Sequence, residues 1–125
     1  MAGFIGPSQL QAIGNACRGE ERQHFIDLLC TFGERIVNMP KTYEQEGKDE
    51  QAVIYLHYFT RSCDWYITER DMEAEQLQAF GLANLGYGAE LGYISIKELL
   101  ESGAELDLYF RPRPIAQLAE VAVKP

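Results

Sequence analysis

The sequence predicts an α+β fold: an antiparallel sheet of about five strands, two N-terminal helices packed on one face, and a short helix between the last two strands. Three observations predict it. Apolar residues recur at helical spacing from Phe25 to Ile36, the pattern of a helix with one buried stripe. The runs AVIYLHYFT at 52–60 and WYITE at 65–69 are rich in β-branched and aromatic residues, the composition of strands. Ser95 and Glu98 then form a capping box that opens a short helix ahead of the alternating run ELDLYF at 105–110.

Taken in order, the first helix is expected over 8–17, capped by Ser8 with Gln11, with Leu10, Ile13 and Cys17 on one face and Gly19 breaking it. Glu20 and Glu21 favour the start of a second helix through its dipole. Its stripe is Phe25, Leu28, Leu29, Phe32 and Ile36, broadened by Ile26, Cys30 and Val37, and Pro40 ends it. KTYEQEGKDEQ at 41–51 is nearly free of apolar residues and reads as a plain connector. The strand at 52–60 has two apolar faces, Val53, Tyr55, His57 and Phe59 against Ile54, Leu56 and Tyr58, which places it inside the sheet rather than at an edge. Arg61 to Asp64 turn the chain, and WYITE returns antiparallel with Trp65, Ile67 and Glu69 on one side and Tyr66 and Thr68 on the other. Trp65 is expected to be largely buried near Phe25, Leu29 or Phe32, its truncation to alanine costing about 3–5 kcal/mol.

ERDMEAE at 69–75 reads as a charged loop, QAFGLANLG at 78–86 as a third strand bent or bulged at its glycines, YGAE as a turn and LGYIS at 91–95 as a fourth strand. Gly103 suits the position just past the short helix. ELDLYF is the fifth strand, stopped by Pro112 and Pro114, and PIAQLAEVAV forms a last short helix. Residues 1–125 read as one domain, helical over 1–40 and sheet over 52–112, with no repeat and no dividing linker.

A chain of this length buries a core without help from disulfides or metal. The opening residues lack a signal-peptide pattern and no apolar run reaches membrane-spanning length, so a cytoplasmic protein is expected. Cys17, Cys30 and Cys63 are an odd set of free thiols, Cys30 in the core and Cys63 in an exposed turn. The net charge of −8 is uneven: three Lys/Arg against four Asp/Glu over 1–40, and eight against fifteen over 41–125. That balance disfavours direct contact with a phosphate backbone and favours a protein partner with a basic surface; the same acids also serve as a solubilising surface.

No cofactor and no metal centre is expected. Gly81, Gly86, Gly88 and Gly92 fit neither a phosphate-binding loop nor a dinucleotide fingerprint, and His24, His57 and the cysteines lack zinc-ligand spacing. His57 reads as a hydrogen-bonded structural residue of its strand. Carboxylates gather at Asp64, Glu69, Asp71, Glu90 and Asp107. A pair in an apolar cleft can act as general acid and base or hold a divalent cation; turn capping by the same acids is the competing account.

WYITE at 65–69, AFGLANLGYGAELGYISIKEL at 79–99 and DLYF at 107–110 carry a resemblance. The run from about Ala52 to Pro112 resembles the bacterial domain-of-unknown-function family DUF2958. Where its members usually read C-D-L-G, this chain reads Ala83-Asn84-Leu85-Gly86, so an acid is missing at 84. The resemblance implies a setting, a plasmid or prophage near antirestriction genes in a bacterial host, and no established activity. The function expected from charge and setting together is a non-enzymatic, acidic, protein-binding inhibitor of the anti-CRISPR or antirestriction type. It would occupy a basic nucleic-acid groove through Glu69, Asp71, Glu73 and Glu75 on one loop. Two alternatives stand beside it. One is a small metal-assisted enzyme using Asp64, Glu69, Glu90 and Asp107 around Trp65 and Tyr93, in a pocket where the third-to-fourth strand turn meets the 60–64 turn. The other is a structural or regulatory homodimer joined through the N-terminal helices.

Overall fold

A computed structural model of the chain describes residues 3–118. Two helices, α1 (Pro7–Ala16) and α2 (Arg22–Asn38), precede the strands β1 (Val53–Ile54), β2 (Leu56–Phe59), β3 (Asp64–Glu69), β4 (Ala79–Asn84) and β5 (Ala89–Ile94). Helix α3 (Ile96–Glu101), β6 (Glu105–Leu106) and β7 (Arg113–Pro114) follow. The main sheet is antiparallel with the order β5-β4-β3-β2-β6, and β1 with β7 makes a separate two-stranded ribbon. This is the α+β architecture the sequence predicts, with the short helix between the fourth and fifth strands of the sheet.

Strand alternation divides the apolar residues between two faces. On one face Leu56, Tyr58, Ile67, Ala79 and Ile94 pack with Phe32 and Ile36 of α2 and Ile96 and Leu99 of α3. On the other, Tyr66 and Leu82 pack with Ile54, Phe110, Ile115 and Leu118. The Tyr58 hydroxyl crosses the first core to donate to the Phe4 carbonyl. Burial pushes that phenol far above its ordinary range, so it stays a donor.

Several local expectations change. Helix α1 is started by Gly6 with Pro7 in its first turn, and no Ser8 side chain caps it; proline supplies the helical φ and lacks only an N–H that has no partner there. The buried stripe of α2 narrows to Phe32 and Ile36. Leu10, Cys30 and Val37 are exposed, the last by 72%, because the sheet accepts only the inner line of each helix. Trp65 is half-buried against the α2-side core, so truncating it removes less packing than a fully buried aromatic would. Strand β6 stops at Leu106: Asp107 turns the chain by accepting the Tyr109 N–H at 2.9 Å, as aspartate does at loop starts. Pro114 pairs with Val53 in β7, and a single 3₁₀ turn, Ile115–Gln117, stands where a last helix is expected; the rest of that helix lies outside the described residues. Ser95 does accept the Glu98 N–H, and Gly103 does take a left-handed φ of 92° after α3.

The two edges of the sheet differ. At β6, the Gln9 side chain of α1 donates to the Leu106 carbonyl at 2.7 Å and accepts the Leu106 N–H at 2.9 Å. That side chain stands in for a further strand and closes the edge. At the other end, β5 pairs with β4 and, among the described residues, with no strand on its outer side.

Candidate functional site

Strand β3 carries a bulge that sequence alternation does not anticipate. Ile67 pairs with Gly81, but the next pairing joins Glu69 to Phe80, so Thr68 and Glu69 both stand opposite one residue. A bulge re-aims the side chains after it. Glu69 thereby leaves the side of Trp65 and Ile67 and lines, with Thr68, a cavity of about 160 Å³ on the other face. Gly81 permits this. A Cβ there would stand 2.0 Å from the Tyr66 carbonyl oxygen and 2.9 Å from the Ile67 Cα.

The segment read as a plain connector forms one wall of that cavity. Its start is strapped to the far end of β3: the Thr42 N–H donates to the Arg70 carbonyl at 2.8 Å, and the Thr42 hydroxyl reaches the carbonyls of Arg70 and Gln78 at 3.1 Å each. Glu69 then anchors it. One carboxylate oxygen accepts the Tyr43 N–H and the other the Gln45 N–H at 3.2 Å. The Gln45 amide completes the wall by bonding the Val53 and Thr68 carbonyls and the Val53 N–H. Tyr43 holds a φ of 77°, a left-handed conformation that costs a bulky residue free energy and marks a position over-determined by its surroundings.

Above this floor stand Tyr43, Phe80, Leu91 and Tyr93, with Glu46 and Asp49 at the rim. The Tyr43 and Tyr93 rings meet edge to face with hydroxyls 3.0 Å apart, and Phe80 meets Tyr93 the same way at 5.4 Å. The hydrogen bond to Tyr43 holds the Tyr93 phenol above its ordinary range, with the charges of Glu46 and Glu69 acting in the same direction.

A second polar group lies toward the start of β3. The His57 Nδ1 is 2.9 Å from an Asp107 oxygen and its Nε2 is 2.8 Å from an Asp64 oxygen. The ring lies flat on Tyr66, centroids 4.7 Å apart and planes 9° apart. Both nitrogens are engaged, so the imidazole clamps β2, β3 and the turn after β6 together. The reading of His57 as a hydrogen-bonded strand residue agrees with this geometry.

The structure therefore distributes the predicted site residues over separate places. Asp64 and Asp107 come together, but on His57. Glu69 and Tyr93 share the cavity. Glu90 is a solvent-facing residue of β5, not of a turn, and Trp65 packs on the opposite face. Among the described residues no group of three or more His, Cys, Asp or Glu is placed to hold a metal ion. The acidic loop is split as well: Glu69 and Asp71 are each 4% exposed, while Glu73 and Glu75 are open to solvent. Burial of Asp71 opposes its charge, yet N–H groups of Glu73, Gln78, Leu77 and Met72 outweigh that and hold its carboxyl below the usual range. Asp71 is thus the peg of its own loop, receiving the Glu73 N–H at 3.1 Å and the Gln78 N–H at 2.8 Å. Sequence reasoning missed Tyr43, Gln45, Glu46 and Asp49, whose grouping depends on the bulge and has no local signal beyond Gly81.

The sequence profile of a family described as a protein of unknown function (DUF2958) matches residues 31–124. The chain belongs to this family. The match begins within α2 and spans the connector, both polar groups and the whole sheet, well beyond the region on which the resemblance rested. No curated protein and no solved structure matches the chain. No helix among the described residues is long and apolar enough to cross a membrane.

Proposed function

We propose that the protein is a non-enzymatic binding protein that docks an acidic, tyrosine-bearing sheet edge onto a basic protein surface. The observation that carries this reading is the β5 edge. Among the described residues no strand pairs on its outer side, and Leu91 and Tyr93 of β5 stand open there, with Leu85 and, at 97% exposure, Tyr87 in the turn that leads into it. Glu46, Asp49 and Glu90 lie exposed beside these residues. An open edge offers backbone hydrogen bonds to an added strand, exposed tyrosines are common anchors of interfaces, and a chain of net charge −8 steers toward cationic partners. The acidic contribution moves from the predicted loop to this edge, because Glu69 and Asp71 spend their charge on internal N–H groups. The first partner to test is a nucleic-acid-targeting defence complex, the setting that the family resemblance implies.

The test is displacement of DNA from such a complex of the host, measured against salt. The wild-type protein is expected to displace DNA, less effectively as salt rises. The double variant Tyr87→Ala, Leu91→Lys is expected to be at least tenfold weaker while melting normally. Displacement by that variant equal to wild type would remove the edge as the docking surface.

A further inference from the structure

We infer that the cavity between the 41–51 segment and β5 is a receptor for a lysine side chain of the partner, held with its ammonium group among Tyr43, Tyr93, Glu46 and Asp49. This rests on the docking reading above and names its anchoring contact. Size comes first. A cavity of about 160 Å³ is many times the space a single water needs, room for a lysine side chain beyond its Cα.

Chemistry agrees. Ala52, Phe80 and Leu91 supply apolar wall for the aliphatic stem, and tyrosine rings and carboxylates line the same cavity. Aromatic faces attract cations, and carboxylates bind them by charge-assisted hydrogen bonds. The three acids Glu46, Asp49 and Glu69 line the cavity, with no Lys, Arg or His among its described lining residues. Glu69 gives each of its oxygens to a single backbone N–H, which leaves acceptor capacity on both. An anionic group finds no counter-charge among those described residues. A second copy of this chain brings another −8, so charge opposes self-pairing at this edge. Position agrees as well, because Leu91 and Tyr93 belong both to the wall and to the open strand: a segment added along β5 carries alternate side chains over the pocket mouth.

The experiment titrates the full chain with n-butylammonium chloride and, in parallel, with 1-butanol, following the Tyr43 and Tyr93 ring resonances by NMR. Butylammonium is expected to shift both rings saturably and to bind at least fivefold more tightly than butanol. The double variant Glu46→Gln, Asp49→Asn is expected to lose at least fivefold of that affinity with its fold intact, since asparagine tolerates the positive φ of 48° at position 49. A short extended peptide with one lysine should also shift the β5 amides, and its norleucine analogue should not. Equal binding of butanol and butylammonium, no shift from either, or an unchanged affinity in the double variant overturns the inference. Loss of amine binding alongside edge-dependent DNA displacement would sink the pocket and leave the docking edge standing. Amine binding alongside displacement that ignores the edge would sink the docking reading and leave an amine pocket.

Discussion

The start and the end of β3 hold two polar groups that have been put to opposite uses. They stand five residues apart along one strand, on the order of 17 Å. At the first, both His57 nitrogens meet a carboxylate and the ring is shelved on Tyr66. At the second, Glu69 anchors two N–H groups and still lines a cavity. A fully satisfied polar network fixes the elements that build it. The difference separates two structural roles: the histidine, chemically the more versatile, is a strut, and the glutamate shapes the wall of the cavity inferred above to receive a lysine.

The change with the largest expected effect breaks the comparison at its root. Gly81→Ala places a methyl 2.0 Å from the Tyr66 carbonyl oxygen, on backbone that cannot rotate away. The bulge that turns Glu69 toward the cavity cannot form unchanged. A cost of about 3 kcal/mol or more is expected, measured by urea unfolding. A variant with the wild-type midpoint would mean that β3 and β4 pair in another register.

Next is the strut itself. His57→Leu leaves Asp64 and Asp107 facing an apolar side chain and each other. Because those carboxylates are about a third exposed, water relieves part of the loss, and about 2 kcal/mol is expected. Adding Asp64→Asn should restore part of it by removing the repulsion. At the other end, Glu69→Gln keeps one acceptor and turns a donor toward a backbone N–H, for about 1–2 kcal/mol. The two variants separate by where they act: hydrogen exchange should quicken at the Tyr43 and Gln45 amides in Glu69→Gln and leave them protected in His57→Leu. Equal loosening of the 41–51 segment in both would deny that the two ends are independent.

How much of this was legible in the sequence follows from which interactions are local. The helix stripe, the strand runs and the SIKE cap depend on neighbours within a turn or a pleat, so they could be read, and the sheet followed. The cavity could not. Its wall, 41–51, owes its shape to Glu69 more than twenty residues away, and Glu69 points there only because Gly81 on another strand admits a bulge. The same blindness produced the acidic loop: four carboxylates close in sequence look like one surface, but Asp71 folds the loop around itself. Asp107 reads as a strand residue by alternation and is a turn residue because its side chain bonds the backbone two positions on.

A smaller effect sharpens the boundary between pegs and surface. The Asp71 carboxyl lies below its usual range when folded. Its contribution to stability is therefore fully present above the unfolded carboxylate value, near 4, and is lost as pH falls through the lower folded value. Asp71→Asn is expected to be about 1–2 kcal/mol less stable at neutral pH and to converge with wild type in acid. A constant difference across that range would show that the loss is geometric and not tied to the charge.

The smallest effect is confined to the cavity rim. The Tyr93 hydroxyl donates to the Tyr43 hydroxyl at 3.0 Å, and that bond favours the protonated phenol, which raises its titration. Tyr43→Phe removes the acceptor and keeps the ring. Both tyrosines are substantially exposed, so the melting temperature should not move. The Tyr93 titration, followed by its ring resonances against pH, should fall toward the ordinary tyrosine value without reaching it, because Glu46 and Glu69 still oppose the phenolate. That residual elevation matters beyond the hydroxyl pair. It reports the negative potential at the rim, the same potential that would draw in an ammonium group. A Tyr93 titration that drops all the way to the ordinary value would mean that the acids exert no field there, and the cavity would lose its claim on a cation.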